Sequence, residues 1–172
     1  MLILVPIIAC NFCGGLPMAV RNIIKEGDQI LHKHSKIVEK FDEKLAVLLD
    51  DMVETLQVSK GVGLAAPQIG ILKRVVVVLV DDKIVEIVNP KIVKKLGKQE
   101  EVEGCLSCPG EYGITLRPQR VTVEGQNRYG ENVVYDGEGI TARAFCHEVD
   151  HLDGILFVDK AEELYDAEES ED

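Results

Sequence analysis

The chain has 172 residues, 46% of them hydrophobic, and a formal net charge of −11. That length suits one domain with a full core, and no internal repeat is visible. An acidic balance without a basic patch or interleaved aromatics excludes direct nucleic-acid binding, and no apolar run is long enough to span a bilayer.

Residues 1–17 are read as an N-terminal extension. Residues 2–9 form a short apolar run ending at Cys10, but the basic n-region of a secretory signal is missing. The extension is therefore expected to be a spurious upstream start or unstructured, with Met18 as the functional first residue. Five cysteines, an odd number, argue against a disulfide framework and for a reducing, cytoplasmic compartment. Cys10 and Cys13, and again Cys105 and Cys108, have C-x-x-C spacing. The gap between the pairs is far longer than in a zinc ribbon, so a four-thiolate site is set aside. His32 and His34 sit in a polar stretch expected to be exposed.

Residues 42–60 carry Leu45, Leu48, Leu49, Met52, Val53 and Leu56 at helical spacing, and Gly61 is expected to stop that helix. The segment that follows, Gly61-Val62-Gly63-Leu64-Ala65-Ala66-Pro67-Gln68, leaves backbone bare at two glycines, so that an extended peptide could approach closely. Residues 74–80 read as a strand buried on both faces, and 84–88 as a second strand. Residues 103–110, Glu-Gly-Cys-Leu-Ser-Cys-Pro-Gly, offer a thiolate in a Gly- and Pro-bounded loop or short strand. Strands are also expected at 121–124 and 133–135.

Next comes His147-Glu148-Val149-Asp150-His151, an H-E-x-x-H motif. On a helix this spacing puts both imidazoles on one face, where they can share a divalent metal while Glu148 handles the protons of water. Thr141 to Phe145 lead into the motif, Gly154 suits a C-terminal cap, and Phe145, Val149 and Leu152 form a separate core-facing stripe. Cys146 reads as a small buried apolar residue and Asp150 as an ion-pairing residue. The last twelve residues hold seven acids and no base. Removing them leaves about −4 for the rest, and this tail is expected to be solvated.

A catalytic site of this type has three protein ligands and an open position. The metzincin continuation fails because Phe157 occupies its third-histidine position, and a thermolysin-like glutamate would have to come from the acidic tail. Cys105 remains as the third ligand.

Three strings, G-V-G-L-A-A-P-Q at 61–68, E-G-C-L-S at 103–107 and H-E-V-D-H-L at 147–152, together closely resemble the peptide deformylase family, whose three motifs occur here in the family's order. The resemblance covers about 19–164. It implies that Cys105, His147 and His151 bind the metal, expected to be Fe2+ with Zn2+, Ni2+ or Co2+ as substitutes. It further implies that Glu148 is the acid/base, that Gln68 and the Leu106 N–H stabilise the oxyanion, and that Val62 and Gly63 hold the substrate backbone like an added strand. The implied reaction is removal of the formyl group from N-formylmethionyl nascent peptides, releasing formate. The family usually has Gln where Cys146 stands, which puts one hydrogen bond near the metal in doubt. Some family members dock near the ribosomal exit tunnel through a basic C-terminal helix; this acidic tail is not expected to do so, leaving only transient ribosome contact. The expectation is an α+β domain over 18–164, mostly antiparallel strands packed around a central H-E-x-x-H helix with an additional N-terminal helix, followed by an acidic tail at 165–172. A monomer without a membrane contact is expected. An endopeptidase and a non-catalytic metal-binding or redox-sensing protein are the alternatives from other classes.

Overall fold

The run Val75 to Val80 forms a strand that separates two hydrophobic layers. The computed structural model describes residues 19–166, so the expectations for 1–17 and for most of the tail lie outside the described residues. Helix α1 (Glu43–Ser59) is capped by Asp42, whose side chain accepts from the Leu45 N–H at 3.1 Å. Its apolar stripe, Leu45, Leu48, Leu49, Met52 and Leu56, is fully or almost fully buried. Lys60, at φ 56° and ψ 28°, makes the left-handed stop. The expectation that Gly61 stops the helix is corrected: the left-handed stop is Lys60, and Gly61 follows it, packed close to the Leu106 side chain.

After β1 (Gly63–Ala65) comes β2 (Val75–Val80), antiparallel to it. Val75 and Val77 pack with α1, whereas Val76 and Val78 face the other layer, with Ile87, Val121, Val123 and Phe145. Alternation along one strand with a helix on each side explains why this run is apolar at every position.

Strand β3 (Lys83–Leu96) is much longer than the five residues expected, 84–88. It continues through Asn89-Pro90, where the register shifts at a bulge. Asn89 adopts φ 53°, and its side chain bonds the Val38 N–H at 2.8 Å and the Val38 carbonyl at 2.9 Å. Strands β4 (Gln99–Cys105) and β5 (Cys108–Arg117) form a hairpin where only the loop or short strand at 103–110 was expected. Strands β6 (Arg120–Gln126) and β7 (Asn132–Glu138) extend the expected 121–124 and 133–135, and β8 (Glu163–Asp166) pairs with β5. This last strand takes in the first two residues assigned to the tail. The result is an α+β fold with a five-stranded sheet ordered β1-β2-β3-β6-β7 and a three-stranded sheet β4-β5-β8, antiparallel throughout.

Helix α2 (Ile140–Leu152) carries residues 147–151 and packs on β1, β2 and β7. Phe145 and Leu152 are buried, with Val149 half-buried beside them. The helix ends as expected at Gly154, φ 73°: its N–H bonds the His151 carbonyl and the Ile155 N–H bonds the Asp150 carbonyl, a Schellman closure. Among the described residues, no helix is long and apolar enough to cross a membrane.

A Cβ at Gly154 would meet the His32 carbonyl carbon and oxygen at 2.6 Å, whereas one at Gly110, φ 84°, meets nothing within 4 Å. Gly110→Ala should therefore cost only the left-handed backbone penalty, about 1–2 kcal/mol, and Gly154→Ala distinctly more. Urea unfolding of both variants checks this, and equal losses would contradict it.

Candidate metal and catalytic site

Helix α2, strand β4 and the segment after β1 bring their side chains to one cleft of about 380 Å³, lined by Gly61, Val62, Gly63, Gln68, Cys105 and Glu148 among others. The Cys105 Sγ, His147 and His151 ligand atoms all lie within 4.8 Å of one another. His151 Nε2 is 3.1 Å from His147 Nε2 and 3.3 Å from Cys105 Sγ. Donors around a tetrahedral ion at about 2.0–2.3 Å sit roughly 3.3–3.6 Å apart, so this set fits a divalent ion. The chemistry agrees, since two imidazoles and one thiolate suit a borderline or transition-metal cation.

The surroundings prepare those donors. His147 Nδ1 faces a Glu103 carboxylate oxygen at 2.6 Å, which leaves Nε2 turned toward the other ligand atoms. Glu103 also accepts from Arg117 Nη2 at 2.6 Å, Thr115 Oγ1 at 2.6 Å and Arg143 Nη2 at 3.1 Å. Burial would push this carboxyl up, but the hydrogen bonds and charges of His147 and Arg117 hold it well below the usual carboxylate range. The Cys105 thiol is likewise held far below its ordinary value, by the Cys108 thiol hydrogen-bonded to it and, against burial, by His147 and His151. The Ser107 N–H approaches the same sulfur at 3.4 Å.

Glu148 is buried, and its Oε2 has no hydrogen-bond partner among the described residues. Burial pushes its carboxyl up to about 8, with the nearby His147 charge opposing and Cys105 adding to the rise. Gly63 makes room for it, because a Cβ there would lie 2.4 Å from Glu148 Oε1.

Gln68 is anchored at both ends of its amide. Oε1 accepts from the Ala65 N–H at 2.8 Å, and Nε2 donates to Ser107 Oγ at 3.2 Å and approaches Cys105 Sγ at 3.5 Å. The backbone of residues 24–26 ties the two halves together: the Ile24 N–H donates to the Gln68 carbonyl and the Glu26 N–H to the Ser107 carbonyl, both at 2.7 Å. Just before β1, the Val62 carbonyl accepts from the Leu79 N–H, while on β1 the Ala65 N–H is turned away from β2 toward Gln68. By strand alternation Gly63 presents its own N–H and C=O to the cleft at the sheet edge.

All eight residues singled out in the sequence thus meet at this cleft or its walls. Cys146 is buried in the core, and Asp150 pairs with Arg117 and with Lys160. His32 and His34 are exposed as expected. Phe157, in the third-histidine position of the metzincin pattern, stacks on His147 with ring centroids 6.3 Å apart. Sequence reasoning missed Glu103, Arg117, Arg143 and Ser107. The available signal was the strand period: Glu103 lies two residues before Cys105 and so on the same face of β4.

A family model, polypeptide deformylase, matches residues 20–167. The chain belongs to the polypeptide deformylase family. It is 54% identical over 154 residues to a peptide deformylase of Acetivibrio thermocellus, covering 90% of this chain and 91% of that one. It is also 54% identical over 143 residues to peptide deformylase 2 of Clostridium acetobutylicum, covering 83% and 95%. Among solved structures, the peptide deformylase from Thermotoga maritima superposes with TM-score 0.81 at 41% identity, covering 84% of this chain and 99% of that one. The Legionella pneumophila enzyme does so with TM-score 0.80 at 44% identity, covering 83% and 86%. The deformylase fold is therefore shared across nearly all of the described residues.

Replacing Glu103 by Ala would leave Arg117 and Arg143 buried without their common anion, a loss of about 3–5 kcal/mol. Because the folded carboxyl titrates below its unfolded value of 4.5, its contribution is complete above that value and lost as pH falls through the folded one. Urea unfolding of the metal-free protein should show stability declining below about pH 4.5, and Glu103→Gln should flatten that decline.

Proposed function

We infer that the cleft hydrolyses the formyl amide of N-formylmethionyl peptides, the reaction of the family to which the chain belongs. The enzyme is a metal-dependent hydrolase that takes the formyl group from nascent chains. The observation that carries the residue assignment is the meeting of a Cys–His–His donor set with a buried, unpartnered glutamate beside an open strand edge.

In this reading Cys105, His147 and His151 hold one divalent ion, expected to be Fe2+, with Zn2+, Ni2+ or Co2+ as substitutes. Such an ion supplies Lewis-acid chemistry, bringing the pKa of water to about 7. The chain's own residues do the rest. Glu148 accepts the proton of the attacking water and returns it to the departing amine nitrogen. The Gln68 Nε2 amide and the Leu106 N–H donate to the formyl oxygen as it gains charge; loss of one such donor typically costs about 2.7–4 kcal/mol. Gly63, with Val62 beside it, receives the peptide as an added strand, so that the formyl carbon is held between Glu148 and those donors. Burial of Gln68 and Glu148 limits their conformational freedom and the access of bulk water.

Helix α2 is read as the central helix of the fold, since it touches strands of both sheets, and α1 as the additional N-terminal helix. The catalytic domain is placed at 18–164, with the acidic tail beyond it and the extension at 1–17 outside it. A cytoplasmic monomer meeting the ribosome only transiently, without nucleic-acid or membrane contact, fits the charge and the absence of a basic surface patch in the sequence.

The deciding experiment is anaerobic: formate release from a formyl-Met peptide by metal-loaded protein, with metal content measured alongside. Absence of formate, or full metal binding after Cys105→Ala, would overturn the reading, and peptide-bond cleavage without formate would favour an endopeptidase. Glu148→Gln should retain metal and lose about 10²–10⁴-fold in kcat. Gln68→Ala should lose about 10²–10³-fold in kcat.

A further inference from the structure

The second C-x-x-C pair is used only in part by the reaction, because Cys108 lies one residue beyond the E-G-C-L-S string and has no catalytic role. Cys105 ends β4, Cys108 begins β5, and the two are direct partners across the two-residue Leu106-Ser107 turn. Directly opposed residues in an antiparallel pair have Cα atoms about 4.5–5.5 Å apart, inside the range a disulfide spans. Both thiols are free, and both line the cleft. Cys146, the other described cysteine, is free as well but is enclosed in the core and does not line the cleft.

We propose that Cys105 and Cys108 form a peroxide-reactive dithiol whose closure to a disulfide withdraws the thiolate ligand and releases the metal. The metal arm rests on the ligand assignment above; the disulfide arm does not. The Cys105 sulfur attacks one oxygen of a hydroperoxide, the O–O bond breaks, and the departing oxygen leaves as water with the proton that Cys105 gave up. The Cys108 sulfur then attacks the resulting sulfenic sulfur, the S–O bond breaks, and the hydroxyl leaves as water with the Cys108 proton. Two thiols lose two electrons, and one hydrogen peroxide becomes two waters. The remaining donors, two imidazoles, hold a divalent ion far more weakly than three. Enclosure of Cys108 beside Cys105 favours this capture over further oxidation of the sulfenic acid, and a thiol reductant reverses it.

The test uses the full chain loaded with Zn2+, which has no redox chemistry of its own, treated anaerobically with stoichiometric hydrogen peroxide. Expected results are a mass loss of about 2 Da, a cross-linked peptide joining Cys105 to Cys108, release of zinc to a chromophoric chelator, and rebinding after dithiothreitol. In Cys108→Val the same treatment should instead add about 16, 32 or 48 Da at Cys105, and the 32 and 48 Da products should resist the reductant. Oxygen addition at Cys105 in the unsubstituted protein without the 105–108 link would overturn the proposal, as would a linked product that keeps its zinc. Formate release by the reduced protein, measured separately, tests the deformylase reading, so the two can fail independently.

Discussion

One buried carboxylate, Glu103, joins the two halves of the molecule. It sits on β4 and receives hydrogen bonds from Thr115 and Arg117 on the neighbouring strand and from Arg143 on α2, while facing His147 on the same helix. An isolated charge in that place would be very costly. Here two guanidiniums, a hydroxyl and an imidazole compensate it, and Arg117 reaches onward to Asp150, the neighbour of His151. The three-stranded sheet therefore cannot shift against α2 without uncovering a charge, and the same constraint sets the ring of His147. A metal site drawn from two elements needs them held to a fraction of an ångström, and a charge network supplies an orientation that apolar packing alone does not.

Strand β2 plays the matching part on the apolar side. With α1 on one face and α2 on the other, it places β1 at an edge of the five-stranded sheet. An open edge is ordinarily an aggregation hazard. This one is three residues long, ends against the Gln68 amide, and faces a cleft instead of open surface. The edge at Gly63 and the stretch Val102 to Leu106 line the same cleft, so the unpaired backbone groups face a recess.

How far the sequence reveals this depends on the range of the interaction. Helices α1 and α2 are legible because their apolar stripes are local, and Gly154 closes α2 as its sequence position suggests, whereas α1 ends one residue earlier than Gly61, at Lys60. The first strand after the active segment is legible because its apolar run needs no partner to be recognised. The β4–β5 hairpin is not, because Gln99-Glu100-Glu101 is polar and acidic, and its strand character comes from pairing with β5. Continuation of β3 through Asn89-Pro90 depends on a contact with Val38, 51 residues away in the chain. The candidate site divides in the same way. Its ligands and acid/base stand in short strings of fixed spacing, whereas Arg117 and Arg143 look like ordinary surface arginines until the fold puts Glu103 between them.

Gly63 shows why such strings tolerate little substitution. Its N–H and C=O supply the free sheet edge, a requirement any residue could meet from its backbone. Its missing Cβ supplies something else, since Glu148 Cγ and Oε1 occupy the space a methyl would fill. Moving Glu148 aside to admit that methyl would displace a carboxyl whose elevated pKa comes first from burial and whose value for proton transfer comes from its place beside His147. In the proposed reaction, the strand edge that would align the peptide and the group that would move the proton lie against each other, so alignment and proton transfer would depend on the same few ångströms of backbone.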